Sequence, residues 1–194
     1  TGYSGSSGIG ILTEDKDLFI TDFRYKEQIK TEAPGYEYLI TPQRPLEYLV
    51  NEKILPKTAK VAFEDIRISY QDYSLLAGYF HKKNLVPLES SIAGLQEIKD
   101  EGEIAKLTRA AEITDTVFSH IRRLIRPGIS EADIAAEISF QIRKNGGEKD
   151  AFDSIIASGE RSAMPHAKTS SRIVREREFI VLDFGAVFEG YHAD

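Results

Sequence analysis

The chain has 194 residues and a formal net charge of -6, with 41% hydrophobic and 29% charged residues. That balance excludes a wholly disordered or fibrous chain, and the acidic surplus argues against a nucleic-acid binder, which carries a basic face. No apolar run reaches the ~18 residues of a membrane span, nothing at the start resembles a signal peptide, and cysteine is absent. Disulfides and thiolate ligands are thereby excluded, a reducing cytoplasm fits, and a metal site would have to use Asp, Glu and His, which favours hard or borderline divalent ions.

The opening "TGYSGSSG" (1–8) has glycines and serines but no Gly-Lys-Ser/Thr ending, so it reads as a turn at a sheet edge rather than a phosphate loop. The chain starts at Thr1, and an earlier natural start is expected. "ILTEDKDLFITD" (11–22) predicts a β-hairpin with a polar turn at Glu14–Asp17. A helix is predicted from Arg24 to Thr31, stopped by "APG" at 33–35. A second runs over 45–55 with Leu46, Leu49, Val50 and Ile54 on one face, and Pro56 closes it. "KVAFE" (60–64) is a short buried strand, 69–84 a third helix and "LVPLE" (85–89) a strand, an alternation that argues for an α/β layer.

The character changes near Ser90, giving two expected domains, 1–90 and 91–194. A long amphipathic helix is predicted from Asp100, with Ile104, Leu107, Ala111, Thr114, Phe118 and Ile121 on its apolar stripe. "RPG" ends it, and Ser130 with Asp133 reads as a loose capping box for the next helix. That helix carries Ile134, Ile138 and Ile142 and stops at "NGG" (145–147). A strand at 154–158, a polar loop through "GERSAMPHAKTSSR" and a strand over 178–187 follow. The basic runs at 81–83 and 122–126 read as solvated surface, and His81 and His120 as helical residues without a role in chemistry.

The closing stretch "VLDFGAVFEGYHAD" (181–194) puts Asp183 at the end of an apolar run and Asp194 eleven residues later. Read as a hairpin centred between Phe188 and Glu189, it sets the two acids directly opposite each other, with Cβ atoms ~5 Å apart on one sheet face. Two carboxylates so placed repel when both are ionised, and a divalent cation reverses that cost. The same pair also fits a plain strand end and an exposed acid, and at this point both readings stand. "DFG" does not mark a kinase, because no His-Arg-Asp precedes it and "KVAFE" lacks the nucleotide-binding lysine. His166, in the polar loop, could bind substrate or move a proton, or could be a surface histidine. His192 shares the parity of the aspartates.

Together "ASGERSAMPHAKTSSR" and "VLDFGAVFEGYHAD" closely resemble the first half of the catalytic domain of Xaa-Pro aminopeptidases, the proline-specific pita-bread metallopeptidases. "LQEIKDEGEIAKLTRAAEITDTVFSHI" and "RPGISEADIAAEI" are similar to that domain's first two helices, and the N-terminal segment to a creatinase-like domain. The resemblance implies an α/β fold: a creatinase-like N-terminal α/β domain, then the first half of an α+β pita-bread domain. It assigns Asp183 and Asp194 as metal ligands, Asp194 bridging two ions, and His166 as a catalytic residue beside the site. It gives no ligand role to His192, and "REREF" at 175–179 departs from the family's usual Gly-Asp turn. The implied cofactors are two divalent ions, manganese foremost and cobalt or zinc as alternatives, which activate a water against the carbonyl preceding proline. The implied substrates are peptides with proline second, with no nucleic acid and no membrane as partners, in a cytoplasmic homodimer. The family's remaining ligands, one His and two Glu, fall beyond Asp194, so these residues alone are expected to be inactive and to hold little metal. A dipeptidase limited to Xaa-Pro dipeptides, a metal-free, creatinase-like or binding homologue, and a stand-alone α/β interaction domain with an accidental likeness are the alternatives.

Overall fold

The computed structural model describes residues 2–89 and 91–194. Thr1, which opens the expected turn segment, and Ser90, at the expected domain junction, lie outside the described residues. The chain divides into two compact units, Thr1–Glu97 and Ile98–Asp194.

In the first unit, β1 (Gly8–Leu12) and β2 (Asp17–Thr21) form the antiparallel hairpin expected from the sequence, and β3 (Glu37–Ile40) joins β2 in parallel. Between them a 3-10 turn at Phe23–Tyr25 precedes α1 (Gln28–Glu32). The helix thus begins later than the predicted Arg24, because Asp22 accepts from the Arg24 amide and side chain and holds that turn apart. The helix α2 (Pro45–Asn51) is shorter than predicted, with Lys53 at φ 54 just after it. Parallel strands β4 (Val61–Phe63) and β5 (Leu85–Pro87) flank α3 (Tyr70–Tyr79), and α4 (Ser91–Glu97) follows. His81 lies beyond the end of α3, outside the helix expected to hold it. Ile20, Leu49, Leu76, Phe80 and Leu85 form the core that joins these layers.

The second unit is two helices on one face of a set of short strands. Helix α5 (Glu101–Leu124) starts with a capping box between Asp100 and Glu103, and α6 (Glu131–Lys144) with one between Ser130 and Asp133. Each box satisfies amides that a helix start leaves without partners. On α6 the predicted Ile134, Ile138 and Ile142 are all fully buried. On α5 the buried stripe is Ala110, Ile113, Val117 and Ile121, whereas Ile104 and Phe118 of the predicted stripe are exposed. The two stripes meet at Ile121 and sit about a residue apart, since apolar side chains occur on two neighbouring faces and the sheet chooses the β-branched one.

Strands β6 (Lys149–Asp150), β7 (Ile155–Ser158), β8 (Ile180–Asp183), β9 (Ala186–Phe188) and β10 (Tyr191–His192) complete the unit. The strand predicted over 178–187 is therefore broken at Phe184–Gly185: β8 pairs with β7, whereas β9 lies between β6 and β10. Helix α5 packs on β9 and β10, and α6 on β6 and β7. Among the described residues no helix is long and apolar enough to cross a membrane.

Candidate functional site

The segment from Ile180 to Phe188 alternates. Ile180, Leu182, Phe184, Ala186 and Phe188 all pack into the core beneath α5 and α6. By the two-residue period of extended chain, Val181, Asp183 and Gly185 turn to the face away from the helices. Asp183, at the end of β8, pairs with Ile155 of β7. It is half-buried, and among the described residues its carboxylate has no hydrogen bond or ion pair.

The β9–β10 hairpin corrects the expected geometry. Phe188 pairs with Tyr191 and Val187 with His192, so the loop is the two residues Glu189 and Gly190. Both have positive φ, 45° and 79°, the condition for a tight primed turn that matches strand twist. The turn centre thus lies one residue later than expected, and Asp183 is not directly opposite Asp194. The Ala193 amide donates to the Ala186 carbonyl at 2.9 Å, and Asp194 lies beside Gly185. A Cβ on Gly185 would stand 1.8 Å from the Ala193 carbonyl oxygen, so only glycine admits this approach. Moving the centre by one residue shifts the partner by two, so Asp194 lies against Gly185, which joins β8 to β9, rather than against Asp183. The hairpin is tied to α5 through the Tyr191 hydroxyl, which donates to Glu103 at 2.9 Å, and the Ala186 amide, which donates to the Thr114 hydroxyl at 3.1 Å. The adjacent Glu103 carboxylate pushes the Tyr191 phenol pKa up.

Asp194 and His192 are exposed, and His192 Nδ1 lies 3.2 Å from the Ala151 carbonyl oxygen. His166 occupies an exposed turn after the 3-10 segment Gly159–Ala163, and no hydrogen bond or ion pair joins it to either aspartate among the described residues. Among the described residues no three or more His, Cys, Asp or Glu side chains are grouped to hold a metal. Asp183 and Asp194 suit a divalent ion in donor type, since both offer hard carboxylate oxygens and Asp183 has no competing donor.

The feature that sequence reasoning missed is Glu131, in the first turn of α6 and 0% exposed. One carboxylate oxygen accepts from the Ser158 amide at 2.8 Å and its hydroxyl at 2.9 Å. The other accepts from the Ser170 amide at 3.1 Å, its hydroxyl at 2.6 Å, and the Arg161 guanidinium. Burial pushes the Glu131 pKa up, but the hydrogen bonds from Ser170, Ser158 and Arg161 outweigh it and hold the carboxyl at about 2. The Ser158 hydroxyl also accepts from Arg172 at 2.7 Å, and Arg172 pairs with Glu178, whose carboxyl is likewise lowered to about 2 by that guanidinium. In sequence, Glu131 is one of two acids expected in any first helical turn, complementing the helix dipole. Its partners are 27 or more residues away along the chain, and no local pattern marks them.

Residues 1–98 match the creatinase/prolidase N-terminal domain, and residues 105–194 match metallopeptidase family M24. Peptidase YqhT of Bacillus subtilis is 36% identical over the whole of this chain, which covers 55% of that protein. The structure of an Xaa-Pro dipeptidase from Bacillus anthracis superposes with a TM-score of 0.89 at 35% identity, over 99% of this chain and 54% of that one. An X-Pro aminopeptidase from Thermotoga maritima gives 0.85 at 35% identity, over 100% and 53%. The chain thus spans about half the length of these relatives. With both of its units matched in order, the chain belongs to the M24 metallopeptidase family that carries a creatinase/prolidase N-terminal domain.

Proposed function

We propose that this chain is part of a metal-dependent exopeptidase that hydrolyses the bond between an N-terminal residue and a following proline. The observation that supports the reading is Asp183, a half-buried carboxylate at the end of β8 without a protein partner among the described residues, with Asp194 brought against Gly185 two residues further on. In this reading Asp183 and Asp194 hold divalent ions through hard carboxylate oxygens, manganese being the ion the family resemblance implies. Such ions supply Lewis acidity to the scissile carbonyl and acidify a water. The chain's own contribution is placement. The β8 pairing holds Asp183 and the tight turn at Glu189–Gly190 brings Asp194 beside Gly185; in this reading both carboxylates turn to the ions, and His166 donates a hydrogen bond to the peptide from its exposed turn. Two carboxylates do not close a two-ion site, which needs further ligands, so these residues alone are expected to hold little metal and to be inactive.

The test is hydrolysis of Xaa-Pro peptides by the whole protein, before and after chelation and manganese return. Activity is expected to vanish with the metal, return with it, and be lost in Asp183→Asn. Full activity in that variant, or in chelated enzyme, would overturn the reading. Comparing an Xaa-Pro dipeptide with a longer Xaa-Pro peptide separates dipeptidase from aminopeptidase.

A further inference from the structure

The loop that carries His166 is held at both ends by one buried charge. On the near side, Glu131 binds Ser158, the last residue of β7, and Ser158 pairs with Ile180 of the strand that ends in Asp183. On the far side it binds Ser170 through both amide and hydroxyl. Arg161 spans the loop's interior: besides Glu131 it donates to the Ser170 hydroxyl at 2.8 Å and to the Lys168 carbonyl at 2.5 Å. The start of α6 adds backbone bonds to the same segment, Glu131 N–H to the Arg172 carbonyl and Ala132 N–H to the Ser170 carbonyl, each 3.0 Å. Met164, Pro165 and His166, between the two attachments, remain exposed.

We propose that Glu131 is a positioning residue that clamps both ends of the 158–170 loop and so fixes where His166 stands relative to the strand bearing Asp183. A dry carboxylate is an expensive way to join two chain segments, because apolar packing of equal volume is often as stable. A saturated network with directional donors, however, defines one loop geometry where apolar contacts would allow several. The catalytic part of the proposal rests on the reading of His166 given above.

Two measurements test it. By hydrogen exchange of this chain, Glu131→Gln should speed exchange at the Ser158 and Ser170 amides about tenfold or more, the scale of a lost hydrogen bond to a charged group. The α5 core amides, such as Ile113, should keep their protection. Ser170→Ala, which removes one hydroxyl donor and leaves the charge in place, should act in the same direction to a smaller extent and serves if the first variant does not fold. In the whole protein, Glu131→Gln should lower kcat between about ten- and a hundredfold, the effect of a misplaced group, and should add nothing further in a His166→Ala background. Unchanged exchange at Ser158 and Ser170 overturns the clamp, and losses that multiply fully in the double variant overturn its action through His166. If His166→Ala instead keeps full activity while Glu131→Gln still loosens the two amides, the reading of His166 has failed and the clamp has not.

Discussion

Two carboxylates in the second unit, Glu131 and Asp183, meet opposite treatment from the chain. Glu131 is wholly buried and surrounded by serine and arginine donors drawn from β7 and the loop after it. Asp183 is half-buried at a strand end and has none among the described residues. Glu131 takes its charge out of water, which is unfavourable unless something answers it. For Glu131 the chain supplies that answer. For Asp183 it does not, and the proposed cation fits what is missing. A satisfied buried acid is thus read as structure, and an unsatisfied one as a place for a ligand.

The sharpest way to break that contrast is to remove each carboxylate in turn. Asp183→Asn should reduce Xaa-Pro hydrolysis by the whole protein at least about 10³-fold, because a bound metal contributes several kcal/mol to the transition state. The same substitution should leave the thermal stability of this chain within about 0.5 kcal/mol, the range of changes that break no specific contact. Glu131→Ala should do the reverse to stability, costing about 3–5 kcal/mol because it strands its buried partners. Denaturant unfolding followed by circular dichroism reads both. An Asp183 variant as destabilised as the Glu131 one would mean that the two acids do the same job.

Acid should separate them next. The Glu131 pKa is held at about 2, below its ordinary 4.5. A lowered folded-state value means that ionisation favours the folded chain. The contribution is fully present above about pH 4.5 and is lost as pH falls towards about 2, for a total of roughly 3 kcal/mol. Glu178, lowered to about 2 by Arg172, acts in the same direction. Melting temperature should therefore fall more steeply between pH 4.5 and 3 in the wild type than in Glu131→Gln. Parallel curves would deny Glu131 that role.

What could be read in advance follows the range of the interactions. The α6 helix, its Ser130–Asp133 box and its buried isoleucines are set by residues three or four apart, and they were legible. The stripe of α5 was misjudged because Ile104 and Phe118 are apolar yet exposed, and only the packed sheet selects Ile113 and Val117 over them. The closing hairpin was legible as a hairpin, but its centre depended on Glu189 accepting a positive φ, which a glutamate does not advertise. The Glu131 network was illegible, since a buried acid and a solvated one look alike until the segment at Ser158–Ser170 folds over the helix start.

The smallest effects concern the turn and the close approach that set Asp194 against Gly185. Gly185 and Gly190 are both glycines of the closing segment, but for different reasons. At Gly185 the obstacle is backbone, since an added Cβ would meet the Ala193 carbonyl oxygen and then the Asp194 Cα at 3.2 Å. Backbone cannot swing aside as a side chain can, so Gly185→Ala should cost about 1–3 kcal/mol, as overpacking does, and should shift the Ala193 and Asp194 amide resonances. At Gly190 there is open space around the Cα, and only φ 79° opposes a side chain. Gly190→Ala should therefore cost about 1 kcal/mol, and Gly190→Asn less, since asparagine tolerates left-handed backbone. If Gly185→Ala proves the milder of the two alanine variants and leaves those resonances in place, residues 193–194 do not lie against Gly185, and the proposed pairing of the two aspartates loses its support.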